Sequence, residues 1–347
     1  MISPKPILIA GPCSAESREQ VLRIAESIKN FQPEYLFRAG VWKPRTRPNS
    51  FEGVGESALP WLTEVQQKFN VPVITEVANS KHVELCLKAG VSHLWIGART
   101  TVNPFAVQEI CDALKNTDTH LYIKNPINPD LALWMGGIER AQKALVKSVS
   151  AIFRGFHEYS PGIYRNVPSW EIVIELKRRL ADLKIICDPS HISGKASLVK
   201  EVSQKAMDMG LDGLMIETHL NPKHALSDPE QQITPEELKA LLNGLRIFSN
   251  NSSDPNFTTK LELLRKRIDE LDGELLRVLS ERMKVVREIG HEKKHNKVTI
   301  LQIERYDEMM QRLSSESAKQ NLDEAMIKEI FSLIHQNSID EQQRIIN

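Results

Sequence analysis

The chain has 347 residues, enough for two domains, and its 45 lysines and arginines balance 45 aspartates and glutamates. A formal net charge of zero argues against nucleic acid or a membrane surface as the main partner, so an anion site must come from local clustering of basic residues. No apolar run approaches the roughly 18 residues of a membrane span, and the start lacks the pattern of a signal peptide. Four widely spaced cysteines with no CxxC pair favour a reducing, cytoplasmic setting.

Residues 1–248 repeat one pattern, in which a short apolar strand is followed by a loop and an amphipathic helical stretch. The predicted strands are, in chain order, 7–11, 35–40, 71–77, 93–97, 121–125, 150–155, 183–188 and 212–217. Eight such units in about 250 residues predict an α/β fold of the (β/α)8 TIM barrel type. An open doubly wound sheet is the structural alternative.

The pattern changes after residue 248. Residues 249–257, SNNSSDPNF, are polar and rich in Ser and Asn, and we interpret them as a linker. Residues 258–347 lack strand signals and predict an all-α domain of three helices, the first very long. Because three such helices bury little surface alone, we expect this domain to form a homodimer with one shared core.

Polar residues follow the predicted strands at their carboxyl ends, where (β/α)8 enzymes hold their chemistry. Five of them are cations from different strands or loops: Arg38, Lys43, Arg99, Lys124 and Arg154. Each alone could be an ordinary surface charge, but together they predict a site for an anion with several charges, such as a phosphorylated carboxylate.

A second set of strand-end residues offers sulfur, nitrogen and oxygen donors. Cys13, His191 and Glu217 follow strands one, seven and eight, which are neighbours in a closed barrel, and Asp228 lies in the last loop. This donor set suits a divalent transition metal. The alternative is structural, with Cys13 as a small buried side chain and His191 as a capping or core histidine.

The segments AGPCSAES, FRAGVWKPRTRP, ITEV, IGARTT, IKNP, FRG, CDPSH and IETH occur in this order. Together they resemble 3-deoxy-D-arabino-heptulosonate 7-phosphate (DAHP) synthase, which condenses phosphoenolpyruvate with erythrose 4-phosphate at the start of the shikimate pathway. The related 3-deoxy-octulosonate 8-phosphate synthase resembles the chain less, because KPRT at residues 43–46 is the aldose motif of the heptulosonate enzyme. Only six residues precede strand one, so we expect no N-terminal regulatory domain.

The resemblance also implies roles for individual residues. The implied metal ligands are Cys13, His191, Glu217 and Asp228, with Mn²⁺ as the expected ion and Fe²⁺, Co²⁺ or Zn²⁺ as alternatives. The implied phosphoenolpyruvate site comprises Arg38, Lys43, Glu76, Arg99, Lys124 and Arg154. The implied erythrose 4-phosphate site comprises Lys43, Pro44, Arg45, Thr46 and Asp188. Lys43 is the expected general acid.

The segment that begins LELLRKRIDELDGELL and runs to about residue 343 resembles the all-helical chorismate mutase family, which converts chorismate to prephenate. The implied catalytic residues are Arg265, Arg282, Lys293, Arg305, Ser338 and Gln342. Arg265 and Arg282 are 17 positions apart, about 25 Å along one helix, so they cannot line one small pocket. Arg265 is therefore expected to serve the pocket of a partner subunit.

Two positions depart from that family. Gln302 and Tyr306 stand where acidic residues commonly help to hold the hydroxyl side of the substrate. The leading hypothesis is a bifunctional enzyme whose barrel is inhibited by prephenate bound to the tail. The alternative is a DAHP synthase whose tail is mainly a prephenate or chorismate sensor and dimerisation module.

Overall fold

The computed structural model describes residues 5–44, 50–159, 162–248 and 254–346. The chain forms two compact units, residues 1–250 and 251–347. No helix in the described part of the chain is long and apolar enough to cross a membrane.

The first unit is a closed barrel of eight parallel strands, so the (β/α)8 prediction is confirmed. Each strand pairs with the next along the chain, and the last pairs with the first at Ile9 and Met215. This closing pair rules out the open sheet. The strands are β1 Ile7–Gly11, β2 Leu36–Arg38, β3 Val73–Val77, β4 His93–Ile96, β5 His120–Lys124, β6 Ser148–Phe153, β7 Lys184–Cys187 and β8 Gly213–Glu217.

Ten α-helices accompany the strands among the described residues. They are α1 Arg18–Lys29, α2 Leu59–Phe69, α3 Ser80–Lys88, α4 Ala98–Thr101, α5 Pro104–Ala113, α6 Leu131–Lys143, α7 Trp170–Arg179, α8 Pro189–Ser193, α9 Ala196–Asp208 and α10 Pro235–Gly244. Helix α1 illustrates why they form. The Ser17 side chain accepts a hydrogen bond from the backbone of Gln20, and Val21, Ile24 and Ile28 bury one face of the helix.

The barrel interior contains one buried side chain from each strand. This layer consists of Ile9, Leu36, Ile74, Trp95, Tyr122, Ile152, Ile186 and Met215. Because strand side chains alternate between faces, the residue two positions further along each strand also points inward. The apolar layer therefore forms the floor on which the next inward layer rests.

The second unit is all-helical, as predicted. It comprises α11 Pro255–Asn296, α12 Ile303–Lys319 and α13 Glu324–Ile346. Helix α13 packs against both α11 and α12. Along α11, apolar side chains face solvent in the single chain: Leu264 is 55%, Ile268 57% and Leu275 61% exposed. Of the predicted linker, residues 249–253 lie outside the described residues, and its last three residues, 255–257, already belong to α11, so the linker prediction extends too far at that end.

Candidate active sites

The inward layer above the apolar floor carries six of the predicted barrel residues. The members two positions beyond the floor are Gly11, Arg38, Glu76, Gly97, Lys124, Arg154, Asp188 and Glu217. Glycine occupies two of these positions because a side chain there would clash with neighbouring atoms. A Cβ at Gly97 would lie 2.1 Å from Glu76 Oε1, and one at Gly11 would lie 2.2 Å from the carbonyl oxygen of Arg38. Strand alternation thus collects these side chains at one mouth.

Arg38 is 1% exposed and donates from Nη2 to Glu217 Oε1 at 2.8 Å. Its guanidinium carbon lies 5.1 Å from the centre of the Trp95 ring, an orientation that favours a cation. Nε and Nη1 of Arg38 are buried and have no hydrogen-bond partner. Because buried donors without partners are costly, these two atoms suit an oxyanion such as phosphate or carboxylate.

Asp188 connects the cationic layer to His191. It accepts a hydrogen bond from Lys124 Nζ at 2.7 Å, and its Oδ1 lies 3.0 Å from His191 Nδ1 and 3.1 Å from the His191 backbone nitrogen. Burial would raise the pKa of Asp188, but His191 and Lys124 hold it well below its usual range. An ionised Asp188 holds a proton on Nδ1, so His191 Nε2 presents its lone pair.

The four predicted metal ligands lie as two pairs. Cys13 Sγ is 3.3 Å from Asp228 Oδ2, and His191 Nε2 is 3.8 Å from Glu217 Oε1. Among the described residues, no group of three or more Cys, His, Asp or Glu side chains already has a metal-binding arrangement. The donors nevertheless fit a divalent transition ion in kind, with one sulfur, one imidazole nitrogen and carboxylate oxygens.

Cations currently balance the charge of these donors. Burial, with Glu217 nearby, raises the pKa of the Cys13 thiol to about 12. Lys43 Nζ lies 2.9 Å from Cys13 Sγ. Burial opposes protonation of Lys43, but Cys13, Glu217 and Asp228 outweigh it and raise its pKa. Lys43 is therefore a protonated acid in a site crowded with negative charge.

Arg165 is a site residue that the sequence interpretation missed. It lines the same cleft as Lys43, Arg99 and Arg154, and its Nη1 donates to Asp228 Oδ1 at 3.1 Å and to Gln231 Oε1 at 2.7 Å. Asp228 has a left-handed backbone, with φ of 44°. Arg165 follows strand six by more than ten residues in a loop, so the strand-end pattern gave no signal for it.

Some of the remaining predicted barrel residues lie in the described part of the chain, and others do not. Arg99, Arg154 and Arg165 line one cleft, and burial together with the other two cations lowers the pKa of Arg154 to about 10. Pro44 lines the same cleft. Arg45 and Thr46 lie outside the described residues. His219 also follows strand eight, but its Nε2 faces Glu16 Oε2 at 3.7 Å rather than the predicted metal ligands.

In the helical unit, the predicted pocket residues meet between α11 and α13. Arg282 Nη1 donates to Ser338 Oγ at 2.6 Å, and Ser338 is 3% exposed. Gln342, one turn further along α13, is also buried, and its Oε1 has no hydrogen-bond partner. Lys293 Nζ donates to the backbone of Ile300, and burial lowers the pKa of Lys293.

Two further cations lie away from this contact. Arg265 is exposed, and it lies on the same unbroken helix as Arg282, so the separation of about 25 Å holds in the structure. Arg305 is exposed and donates to Glu308 Oε2 at 3.1 Å. The structure therefore groups Arg282, Lys293, Ser338 and Gln342, and leaves Arg265 and Arg305 outside that group.

A closed barrel with a cationic mouth, a buried carboxylate–histidine pair and a sulfur, nitrogen and oxygen donor set is typical of a TIM-barrel enzyme, and the cationic mouth suits an anion with several charges. Residues 3–248 match the model of the DAHP synthetase I family, and the chain belongs to that family. Residues 264–343 match the chorismate mutase type II family. The chain is thus an enzyme with a DAHP synthase domain followed by a chorismate mutase type II domain.

Individual relatives agree with this assignment. Phospho-2-dehydro-3-deoxyheptonate aldolase of Thermotoga maritima is 28% identical over 267 residues, which cover 70% of this chain and 70% of that protein. The 2-dehydro-3-deoxyphosphooctonate aldolase of a Campylobacter jejuni strain is 27% identical over 277 residues, covering 71% and 97%. The crystal structure of the Thermotoga maritima DAHP synthase superposes with a TM-score of 0.61 at 26% identity, covering 68% of this chain and 67% of that one.

Proposed function

We propose that the barrel condenses phosphoenolpyruvate with erythrose 4-phosphate and water to give DAHP and phosphate, and that the helical domain converts chorismate to prephenate. The domains would be residues 1–248 and 258–347, joined by 249–257. The observation that carries the barrel proposal is Arg38, whose two buried N–H groups lack partners at the cationic mouth.

The chemistry of the condensation follows from the residues at the mouth. The enol carbon of phosphoenolpyruvate attacks the aldehyde carbon, and Lys43 donates a proton to the alkoxide that develops. Water then adds to C2 and phosphate leaves. Arg38, Lys124 and Arg154 hold the phosphate and carboxylate throughout, and their fixed positions in a buried site make that stabilisation strong.

Metal dependence is part of the proposal. Cys13, His191, Glu217 and Asp228 would hold a divalent ion, Mn²⁺ first, with Fe²⁺, Co²⁺ or Zn²⁺ as alternatives. Such an ion, when bound, would supply Lewis acidity toward the aldehyde oxygen and would favour the Cys13 thiolate. Asp188 orients His191 by holding its Nδ1 proton.

The aldose is the finer part of the barrel proposal. Lys43 and Pro44 are the two residues of the KPRT motif that the structure describes. Lys43 Nζ contacts Cys13 Sγ at the barrel mouth. Phosphate release with phosphoenolpyruvate would be compared between erythrose 4-phosphate and a five-carbon aldose 5-phosphate. Preference for the five-carbon sugar would contradict the heptulosonate assignment.

For the helical domain, placement and electrostatics would perform the whole reaction, since the rearrangement needs no covalent catalysis. Lys293 and Gln342 would meet the ether oxygen. Arg282, Arg305 and Arg265 of a partner subunit would hold the two carboxylates in a homodimer. The exposed apolar face of α11 supports that dimer, because such a face is normally covered.

The first experiment is chorismate disappearance with the full-length protein and an Arg282→Ala variant. Turnover that the variant loses would support two activities in one chain. Tyr306 stands where acidic residues are common in the mutase family, which favours keeping the sensor alternative in the test. Prephenate binding without turnover would make the tail a sensor, and an unchanged synthase rate in prephenate would exclude feedback control.

The proposed setting is cytoplasmic. All four cysteines are free and buried in the structure, which agrees with a reducing compartment.

A further inference from the structure

Three residues on one face of α13 form a polar row toward α11. His335, Ser338 and Gln342 are spaced i, i+3 and i+7, so they share a helix face. Ser338 receives the hydrogen bond from Arg282. The other two members each present a buried atom without a hydrogen-bond partner, His335 Nε2 and Gln342 Oε1. Such atoms in a predicted pocket call for polar groups of a ligand.

The imidazole of His335 is held by Tyr306. The two rings have centroids 4.6 Å apart at an interplanar angle of 42°. The Tyr306 hydroxyl lies 3.4 Å from Ser332 Oγ, so the tyrosine braces the histidine with its ring and directs its own polar group elsewhere. Tyr306 is one of the two positions where the sequence lacks the acidic residue that related mutases commonly carry.

His335 also lies among the cations of the pocket. Burial lowers its pKa, and Arg282 and Lys293 on α11 lower it further, while Tyr306 is the titratable group that contacts it from α12. The ring is therefore neutral near pH 7, with one nitrogen that accepts and one that donates. The pocket is rich in hydrogen-bond donors, and a neutral imidazole adds an acceptor that can pair with a hydroxyl group of a ligand.

We propose that His335 Nε2 hydrogen-bonds the ring hydroxyl of chorismate, and that Tyr306 is a positioning residue that holds the imidazole in place. The assignment follows by matching groups. The arginines match the two carboxylates, and Lys293 with the side-chain N–H of Gln342 matches the ether oxygen, which leaves the hydroxyl for His335. A hydroxyl both donates and accepts, so either imidazole tautomer satisfies it. This inference rests on the proposed mutase function and names a further substrate-binding residue for it.

The test compares two substrates on the full-length protein: chorismate and an analogue that lacks the ring hydroxyl. His335→Leu is expected to lower kcat/KM for chorismate by about 10- to 100-fold and to change kcat/KM for the analogue by less than about 3-fold. His335→Gln retains an acceptor near the position of Nε2 and should recover most of the preference for chorismate. The matched control is His291→Leu, which removes an exposed histidine from α11 and should leave both values unchanged.

Equal losses on both substrates in His335→Leu would assign His335 a structural role and overturn the inference. So would an unchanged preference for chorismate. Tyr306→Phe keeps the bracing ring and should keep the preference for chorismate, whereas Tyr306→Ala should reduce it.

If the wild-type protein turns over no chorismate, the proposed mutase function is wrong, but the binding of prephenate still tests the contact of His335 with the ring hydroxyl. Prephenate keeps the ring hydroxyl, so weaker binding by His335→Leu than by His335→Gln would support the contact, and equal affinities would overturn it.

Discussion

Arg38 and Glu217 form a buried ion pair across the barrel mouth, with Nη2 and Oε1 2.8 Å apart. The pair uses only one of the arginine's three nitrogens, since Nε and Nη1 remain buried without a partner. The arrangement fixes the guanidinium while leaving the N–H groups of Nε and Nη1 as separate donors for an incoming anion. Glu217 is itself held by Gln231 Nε2 at 2.7 Å, so the arginine has a rigid support.

The first prediction concerns those two donors of Arg38. Arg38→Lys keeps the charge beside Glu217 but cannot place N–H groups at the fixed positions of Nε and Nη1, so kcat/KM for phosphoenolpyruvate should fall by about 100-fold. Initial rates measured against each substrate in turn would show the larger effect on phosphoenolpyruvate. Arg18→Lys, at an exposed arginine paired with Glu64, is the matched control. An equal loss with both substrates would contradict the assignment.

The second prediction concerns Arg165, which holds Asp228 at 3.1 Å. The hydrogen bond from Arg165 fixes the position of the Asp228 carboxylate, whose backbone is in the left-handed region that only surrounding contacts maintain. Arg165→Gln should therefore weaken Mn²⁺ binding by about 10-fold, as loss of a ligand's supporting contact usually does. Titration of the metal into metal-free protein measures it, with Arg179→Gln on the outer helix α7 as the control. Unchanged affinity would mean that Asp228 is no ligand or needs no support.

Most of the fold, and much of the barrel site, could be predicted from sequence because one rule generated both. Strand alternation places Ile9 in the floor and Gly11 above it, and the same two-residue step leads from Leu36 to Arg38 and from Met215 to Glu217. Arg165 escaped that rule because it comes from a loop, and only the folded chain brings it to Asp228. The contact between His335 and Tyr306 was also hidden, since it depends on how α12 packs against α13.

The third prediction separates the two activities by metal removal. If Cys13, His191, Glu217 and Asp228 hold an essential ion, a chelator should lower DAHP formation by more than about 100-fold. Chorismate turnover should change less than about 2-fold, because the mutase residues are arginines, lysine, serine and glutamine and need no metal. Both rates would be measured on one preparation before and after treatment, and added Mn²⁺ should restore the first. Parallel loss of both rates would contradict independent sites.

The fourth prediction tests the shared pocket. Arg265→Ala and Arg282→Ala should each abolish most chorismate turnover. Mixing the two inactive proteins under conditions of subunit exchange should restore roughly a quarter of the wild-type rate, because half of the dimers are mixed and each has one intact pocket. Failure to recover activity, with exchange shown independently, would place Arg265 in its own chain's pocket or outside the site.

The same dimer has a simpler test at its apolar face. Leu275→Glu puts a charge on a side chain that is 61% exposed in the single chain, and it should shift the protein toward monomer and lower mutase turnover by about 10-fold. Ile174→Glu alters an apolar residue of the barrel helix α7 that is 55% exposed and should leave mutase turnover unchanged. Molar mass by light scattering at several concentrations measures the shift. An unchanged mass would place the dimer interface elsewhere.

The last prediction concerns acid stability. It involves two histidines at the opposite end of the barrel from the active site. His93 and His120 begin β4 and β5, and their rings stack with centroids 4.2 Å apart. Burial lowers the pKa of His93 to about 4, and His120 and Lys147 contribute further. The unfolded chain therefore binds a proton at higher pH than the folded chain does.

It follows that the contribution of His93 to the free energy of unfolding is fully present above about pH 6.5 and is lost as the pH falls toward 4. Since His93 is partly exposed, the loss should be about 1 to 2 kcal/mol between pH 7.5 and pH 5. His93→Gln should flatten this part of the stability curve, as measured by urea unfolding of the full-length protein at a series of pH values. His224→Gln, which removes an exposed histidine from the loop after β8, is the matched control and should leave the slope unchanged. An equal slope in wild type and His93→Gln would show that His93 titrates as an ordinary surface histidine.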